Sequence, residues 1–85
     1  MFNNKTIFIT GGTGSFGNEF VDTVLRKYKP KKIIIYSRDE YKQFKMQEKF
    51  SSKKYSNLRF FLGDVRDRDR LVLAMKDVDF VIHAA

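Results

Sequence analysis

Four of the chain's five glycines fall within one short run, Thr10-Gly11-Gly12-Thr13-Gly14-Ser15-Phe16-Gly17. The run satisfies G-x-G-x-x-G at Gly12, Gly14 and Gly17, and G-x-x-G-x-x-G at Gly11, Gly14 and Gly17. It follows a β-branched and aromatic stretch, TIFIT at 6–10, that reads as a strand. It opens a stretch in which Phe16, Phe20, Val21, Val24, Leu25 and Tyr28 recur at the period of one helical face. By itself a glycine-rich run is an ordinary turn. Between a strand and an amphipathic helix it does more: the backbone turns tightly, approaches a pyrophosphate with no Cβ in the way, and lets the helix pack close to the strand. The helix start then offers unpaired N–H groups and a partial positive charge. No Gly-Lys-Ser or Gly-Lys-Thr follows, so the run is not a P-loop.

The rest of the chain repeats that alternation. Apolar runs at 32–37, 58–62 and 79–84 read as further strands, and the first, second and fourth are nearly continuous rather than alternating, as in a parallel sheet covered on both faces. Pro30 stops the first helix. A second helix is expected over 39–50, mostly polar and exposed, with Tyr41, Phe44 and Phe50 as its apolar stripe. A third starts near Asp67, whose carboxylate caps it, with Leu71, Val72 and Met75 on its buried side. The βαβαβαβ order and the right-handed crossover rule predict an α/β, Rossmann-type parallel sheet with strand order 3-2-1-4, the first part of a doubly wound NAD(P)-binding fold. The second half of such a sheet covers one face of the first and fourth strands, so Ile7, Ile9, Phe80 or Ile82 is expected to be partly exposed.

Eighty-five residues allow a single domain with a thin core. Without cysteine there is no disulfide scaffold, thiolate metal site or cysteine nucleophile, and no His/Asp/Glu grouping with metal spacing suggests itself. No apolar run is long enough to span a membrane, the N-terminus lacks the features of a secretory signal, and a soluble cytoplasmic protein is expected. The net charge of +7 is concentrated in residues 26–54, which hold eleven bases against three acids. Such a block suits nucleic acid, an anionic surface, a phosphorylated ligand or plain solvation.

The end of the second strand chooses among dinucleotides. An NAD site places an acid there for the ribose hydroxyls, whereas an NADP site supplies a base for the 2′-phosphate. Here the strand ends Tyr36-Ser37-Arg38: Ser37 can donate to a phosphate oxygen, Arg38 can stack on adenine while pairing with the phosphate, and Lys42 follows one turn later. NADP is favoured. Asp39 and Glu40 suit a helix cap and first-turn acid better than ribose binding. After the third strand, Asp64 is placed to accept from the adenine amino group and Val65 to present its backbone, although a turn-forming Asp accounts for the spacing equally. His83 reads as a hydrogen-bonded buried residue rather than a general base. Ala84 and Ala85 are small where a nicotinamide half would pass. Two Tyr-x-x-x-Lys pairs, Tyr28 with Lys32 and Tyr41 with Lys45, read as chance, the first because Pro30 intervenes and the second because its helix starts at the adenosine end.

Taken together, residues 9–17 (ITGGTGSFG), 33–40 (IIIYSRDE), Lys42 and Gln43, 60–67 (FFLGDVRD) and 81–85 (VIHAA) resemble the N-terminus of the inverting UDP-N-acetylglucosamine 4,6-dehydratases, extended short-chain dehydrogenases that begin pseudaminic acid synthesis for surface glycans. Tyr41 departs from that pattern, which is aliphatic there. The resemblance implies NADP held by 13–16, by the 37–42 loop, by Asp64 and Val65, and by Ala85. It also implies a reaction: a hydride leaves C4 of the sugar for NADP⁺, water is lost across C5 and C6, and the hydride returns to C6 with inversion at C5. The family's catalytic tyrosine, lysine and acid lie beyond the fourth strand. The chain is therefore expected to be a partial NAD(P)-binding Rossmann domain over residues 1–85, inactive alone and with no catalytic residue of its own. The complete enzyme is expected to be a homo-oligomer acting on UDP-N-acetylglucosamine, with no nucleic-acid or membrane partner. A UDP-sugar epimerase is the alternative within the fold. In another class stands a small basic module that binds nucleic acid, with Phe44, Phe50 and Tyr55 as stacking groups.

Overall fold

The computed structural model describes residues 1–51 and 53–84. Each apolar run forms a strand: β1 (Thr6–Thr10), β2 (Lys32–Ser37), β3 (Leu58–Leu62) and β4 (Phe80–His83). Between them lie α1 (Ser15–Lys27), α2 (Glu40–Lys49) and α3 (Arg68–Ala74). All strand pairs are parallel and the order is β3-β2-β1-β4, with Ile7 beside Ile33 and Phe80, and Ile33 beside Leu58. The expected order 3-2-1-4 is the observed one. No helix among the described residues is long and apolar enough to cross a membrane.

Every residue of β1 is buried, as continuous runs in a parallel sheet require. Ile7, Ile9, Ile33 and Ile35 point to the side of α1 and α2, where they meet Val21, Val24, Met46 and Phe50. Phe8, Ile34 and Tyr36 point the other way, onto α3 through Ala74, Leu71 and Met75. The expected exposure of Ile7 and Ile9 is not found: both are fully buried. Part of the reason is Phe2, whose ring meets Phe20, Tyr28 and Phe80 edge-on at 5.3–6.0 Å and closes the seam between α1 and β4. Phe80 and Ile82 are half-buried, and the exposed apolar side chain of β4 is Val81.

The helices correct the sequence reading in two places. On α2 the buried side is Gln43 and Met46, leading to Phe50, while Tyr41 and Phe44 lie on the solvent side. A polar side chain takes the inward position because backbone oxygens at two strand ends can accept from it. On α3, Leu71 and Met75 pack inward but Val72 is exposed. Asp39 and Asp67 are N-caps, accepting from the backbone N–H groups of Lys42 at 3.0 Å and Arg70 at 3.2 Å.

Candidate functional site

Because the strands are parallel, their carboxyl ends share one edge, and β1, β2 and β3 open there onto a cleft of about 610 Å³. Gly11, Thr13 and Gly14 form one wall, Ser37, Arg38, Asp39 and Lys42 the second, and Gly63, Asp64, Val65 and Arg66 the third, with Tyr36 in the floor.

The first wall is the glycine loop. Gly11 adopts φ 65°, and Gly14 is the N-cap of α1. A Cβ on Gly17 would overlap the carbonyl oxygen of Gly12, so the helix can start this close to the loop only with glycine there. Asn18 holds the turn from the helix side, its Nδ2 donating to the carbonyl oxygens of Thr13 and Gly14 at 3.1 and 2.9 Å. No side chain caps α1 and no acid lies in its first turn. The loop thus ends in helix N–H groups with no competing negative charge, an arrangement suited to an anion.

At the second wall, Ser37 is fixed by Gln43, whose Nε2 donates to the Ser37 hydroxyl oxygen at 2.9 Å and to the carbonyl oxygens of Ser37 and Phe61 at 3.2 Å. Since the hydroxyl oxygen accepts, its proton remains to donate. Arg38 extends into solvent with its side chain 74% exposed, and Lys42 is also exposed. Asp39 has committed a carboxylate oxygen to the cap of α2, as the sequence suggested.

The third wall depends on Tyr36. Its phenol is fully buried and donates to the backbone oxygen of Asp64 at 3.0 Å, between the rings of Phe8 and Phe61 at 5.4 and 5.7 Å. Burial pushes the phenol's pKa up, reinforced by the charge of Asp67, which keeps it a donor. A Cβ on Gly63 would overlap this phenol. The Asp64 carboxylate is held by Arg66, with Oδ1 accepting from the backbone N–H at 2.9 Å and from Nε at 3.1 Å, and Oδ2 from Nη2 at 2.8 Å. Arg38 Nη1 reaches the same Oδ2 at 3.5 Å. These donors hold the Asp64 carboxyl well below the usual carboxylate range, the Arg66 side chain contributing most.

Of the residues singled out from sequence, Gly11, Thr13, Gly14, Ser37, Arg38, Asp39, Lys42, Asp64 and Val65 meet around the cleft. Gly12 is buried, and Gly17 packs within α1. Ser15 lines a neighbouring groove with Lys42, Lys45 and Lys49, Phe16 is exposed against Phe20, and Glu40 is exposed in the first turn of α2. Ala85 lies outside the described residues. The sequence reading missed Tyr36, Gly63 and Arg66 as parts of the wall. Arg66 had a signal, since it lies two positions after Asp64. His83 is hydrogen-bonded as expected, to Thr10 Oγ1, but exposed rather than buried. Tyr28 caps the end of α1 while Lys32 starts β2, and Lys45 lies over the Tyr41 ring at 5.8 Å on α2. Among the described residues no three His, Cys, Asp or Glu side chains are grouped to hold a metal.

Sheet order, helix alternation and the cleft at the strand ends define a Rossmann-type α/β fold. The chain belongs to the polysaccharide biosynthesis protein family, whose profile matches residues 7–85. Over its full length it is 62% identical to a Campylobacter jejuni protein named UDP-N-acetylglucosamine 4,6-dehydratase (inverting), covering 25% of that protein. Among solved structures it is similar to Pen from Bacillus thuringiensis, at 42% identity and a TM-score of 0.90 over 100% of this chain and 25% of the other. It is also similar to the dTDP-glucose 4,6-dehydratase of Bacillus anthracis in complex with NAD, at 26% identity and a TM-score of 0.75 over 95% of this chain and 26% of the other. The chain spans about a quarter of the length of the curated relatives it matches.

Proposed function

We propose that the cleft binds NADP and that residues 1–85 are a partial NAD(P)-binding domain of an inverting UDP-N-acetylglucosamine 4,6-dehydratase. The observation that carries the reading is the uncapped, acid-free start of α1 facing Ser37, Arg38 and Lys42 across one cleft. This donor set fits a phosphorylated dinucleotide. The backbone N–H groups of the loop through Ser15 and Phe16 would hold the pyrophosphate, with Gly11, Gly12, Gly14 and Gly17 shaping the approach. Ser37, Arg38 and Lys42 would hold the 2′-phosphate, and Asp64, Val65 and Ala85 would flank the adenosine and nicotinamide halves. Asp39 would border the ribose position, with Glu40 beside it in the first turn of α2 and outside the cleft lining. A bound nicotinamide supplies a group that takes up and gives back a hydride. The role of this chain's residues is to bind and orient it. The names of the similar dehydratases support the reaction and the sugar nucleotide. The same proposal extends to pseudaminic acid synthesis, a cytoplasmic setting and a homo-oligomeric complete enzyme.

Titration with NADP⁺, NAD⁺ and a random oligonucleotide tests the reading. NADP⁺ is expected to bind about tenfold or more tighter than NAD⁺, the effect of one or more charge-assisted hydrogen bonds. Salt-sensitive oligonucleotide binding with no response to either dinucleotide overturns it. With the full-length protein and UDP-N-acetylglucosamine, a 4-keto-6-deoxy product inverted at C5 is expected, and a C4 epimer rejects the dehydratase assignment.

A further inference from the structure

Ser37 is the one uncharged side chain among the three proposed to hold the 2′-phosphate, and its direction is set from inside the protein. We infer that Gln43 is a positioning residue for cofactor choice: its buried amide turns the Ser37 hydroxyl toward the cleft as a hydrogen-bond donor and so favours a dinucleotide with a 2′-phosphate over one without. This rests on the dinucleotide reading of the cleft and adds to it a residue that does not line the cleft.

Gln43 is 4% exposed and Ser37 8%. The two protons on Gln43 Nε2 are shared among three acceptors, Ser37 Oγ at 2.9 Å and the carbonyl oxygens of Ser37 and Phe61 at 3.2 Å. These surroundings fix which end of the amide faces inward, since the reverse orientation would set Oε1 against two carbonyl oxygens. With the nitrogen facing Ser37, the hydroxyl oxygen accepts. Among the described residues Gln43 is the only hydrogen-bond partner of the Ser37 side chain, so the hydroxyl proton is left for a ligand in the cleft.

The same amide occupies the acceptors that would compete for that proton. The Ser37 carbonyl oxygen accepts from the Gly63 N–H at 2.9 Å as well as from Gln43, which engages both of its lone pairs. The Phe61 carbonyl oxygen accepts from Gln43 too. Without the amide each regains capacity, and a hydroxyl bonded to nearby backbone no longer donates to a ligand. The amide reaches both strands because Asp39 starts α2 directly after β2, with its carbonyl oxygen accepting from the Gln43 N–H at 3.1 Å, and because β3 lies beside β2. One helical turn thus brings Lys42 to the cleft and Gln43 to the sheet.

A fixed donor discriminates between the two cofactors. A ribose 2′-hydroxyl both donates and accepts, so it pairs with Ser37 whichever way the serine proton points. A dianionic phosphate only accepts, and its bond to a donor is charge-assisted. Holding Ser37 as a donor therefore serves the phosphate selectively.

The test measures 2′,5′-ADP and 5′-ADP binding to the full-length protein by calorimetric titration, with a melt of each variant as a folding control. Ser37→Ala is expected to weaken 2′,5′-ADP about tenfold, the effect of one charge-assisted hydrogen bond, and 5′-ADP by less than about twofold. Gln43→Met keeps the length of the side chain without the donor and should lower the ratio of the two affinities about fivefold. In Ser37→Ala protein the same change should alter the ratio by less than about twofold, because no proton is left to direct. A residue that only supported the packing of α2 would change the ratio equally in both backgrounds. Gln43→Asn, whose amide stops one methylene short of the hydroxyl, replaces Gln43→Met if that variant does not melt cooperatively. An unchanged ratio in Ser37→Ala or in the Gln43 variant, or equal losses in both backgrounds, overturns the positioning role and leaves the dinucleotide reading standing. Wild-type protein that binds neither probe overturns that reading, and equal binding of both overturns the NADP assignment together with the role of Gln43.

Discussion

The two faces of the sheet are built to different depths. On the side of α1 and α2, Ile7, Ile9, Ile33 and Ile35 are fully buried beneath two helices of 13 and 10 residues. On the other side α3 has seven residues, and Val72, Leu73 and Val81 remain 63%, 64% and 50% exposed. The cleft draws on both. Its glycine loop rests on the deep face through the close approach of Gly17 to Gly12, whereas the Asp64 wall hangs from Tyr36, which belongs to the shallow face. A glycine loop fixed by backbone contact thus faces a wall fixed by one phenol and a set of ion pairs. The first is rigid by packing and the second by hydrogen bonding, so the two should respond differently to substitution.

The largest expected effect comes from truncating each face. Ile35→Ala removes a wholly buried side chain between α1 and α2 and should cost about 3 kcal/mol, measured by urea unfolding. Val81→Ala removes a half-exposed one and should cost about 0.5 kcal/mol. Equal costs would show that the shallow face is as tightly packed as the deep one. Next in size is Gly63→Ala. The added methyl meets the Tyr36 phenol, a buried ring wedged between Phe8 and Phe61, and should cost about 2 kcal/mol. The same change should loosen Asp64 and lower the preference for 2′,5′-ADP over 5′-ADP. A stable Gly63→Ala protein with full selectivity would mean that Tyr36 does not set the position of the wall.

This division also explains what could be read from the sequence. The glycine loop, Ser37 and Arg38 were legible as neighbours because each follows or ends an unmistakable strand, and parallel pairing brings strand ends together without further information; Lys42 comes with them in the first turn of α2. The strands themselves followed from continuous apolar runs, and α1 from the spacing of Phe20, Val21 and Val24. Gln43 was not legible as an inward-facing residue, since a buried amide is stable only when Ser37 and Phe61 present oxygens to it, and that depends on β3 lying beside β2. Of the apolar stripe expected on α2, Phe50 is buried while Tyr41 and Phe44 lie on the solvent side. Phe2 lay outside any periodic pattern, yet its position beside Phe20, Tyr28 and Phe80 completes the cover of β1. Arg66 is near Asp64 in the chain, but its three hydrogen bonds follow from the geometry of one turn.

The smallest effect distinguishes the ion-paired wall from an ordinary solvated turn. Asp64 has its carboxyl pKa lowered in the folded protein, first by the Arg66 side chain and then by the Arg66 backbone N–H, with Arg38 adding its charge. A depressed folded-state pKa means that the carboxylate's contribution is complete above the unfolded value, about 3.9, and is lost as pH falls below it toward the folded value. The difference in melting temperature between wild type and Asp64→Asn should therefore be constant from about pH 8 to pH 5 and shrink only below about pH 4. Over the higher range any pH dependence of 2′,5′-ADP binding should come from the ligand, whose phosphate takes up a proton near pH 6 by analogy with other phosphate monoesters, and affinity should fall as pH drops through that value. An Asp64→Asn protein that melts at the same temperature as wild type from about pH 8 to pH 5 would show that Arg66 and Arg38 do not hold the carboxylate in solution, and the shallow-face wall would then be a mobile turn rather than a fixed one.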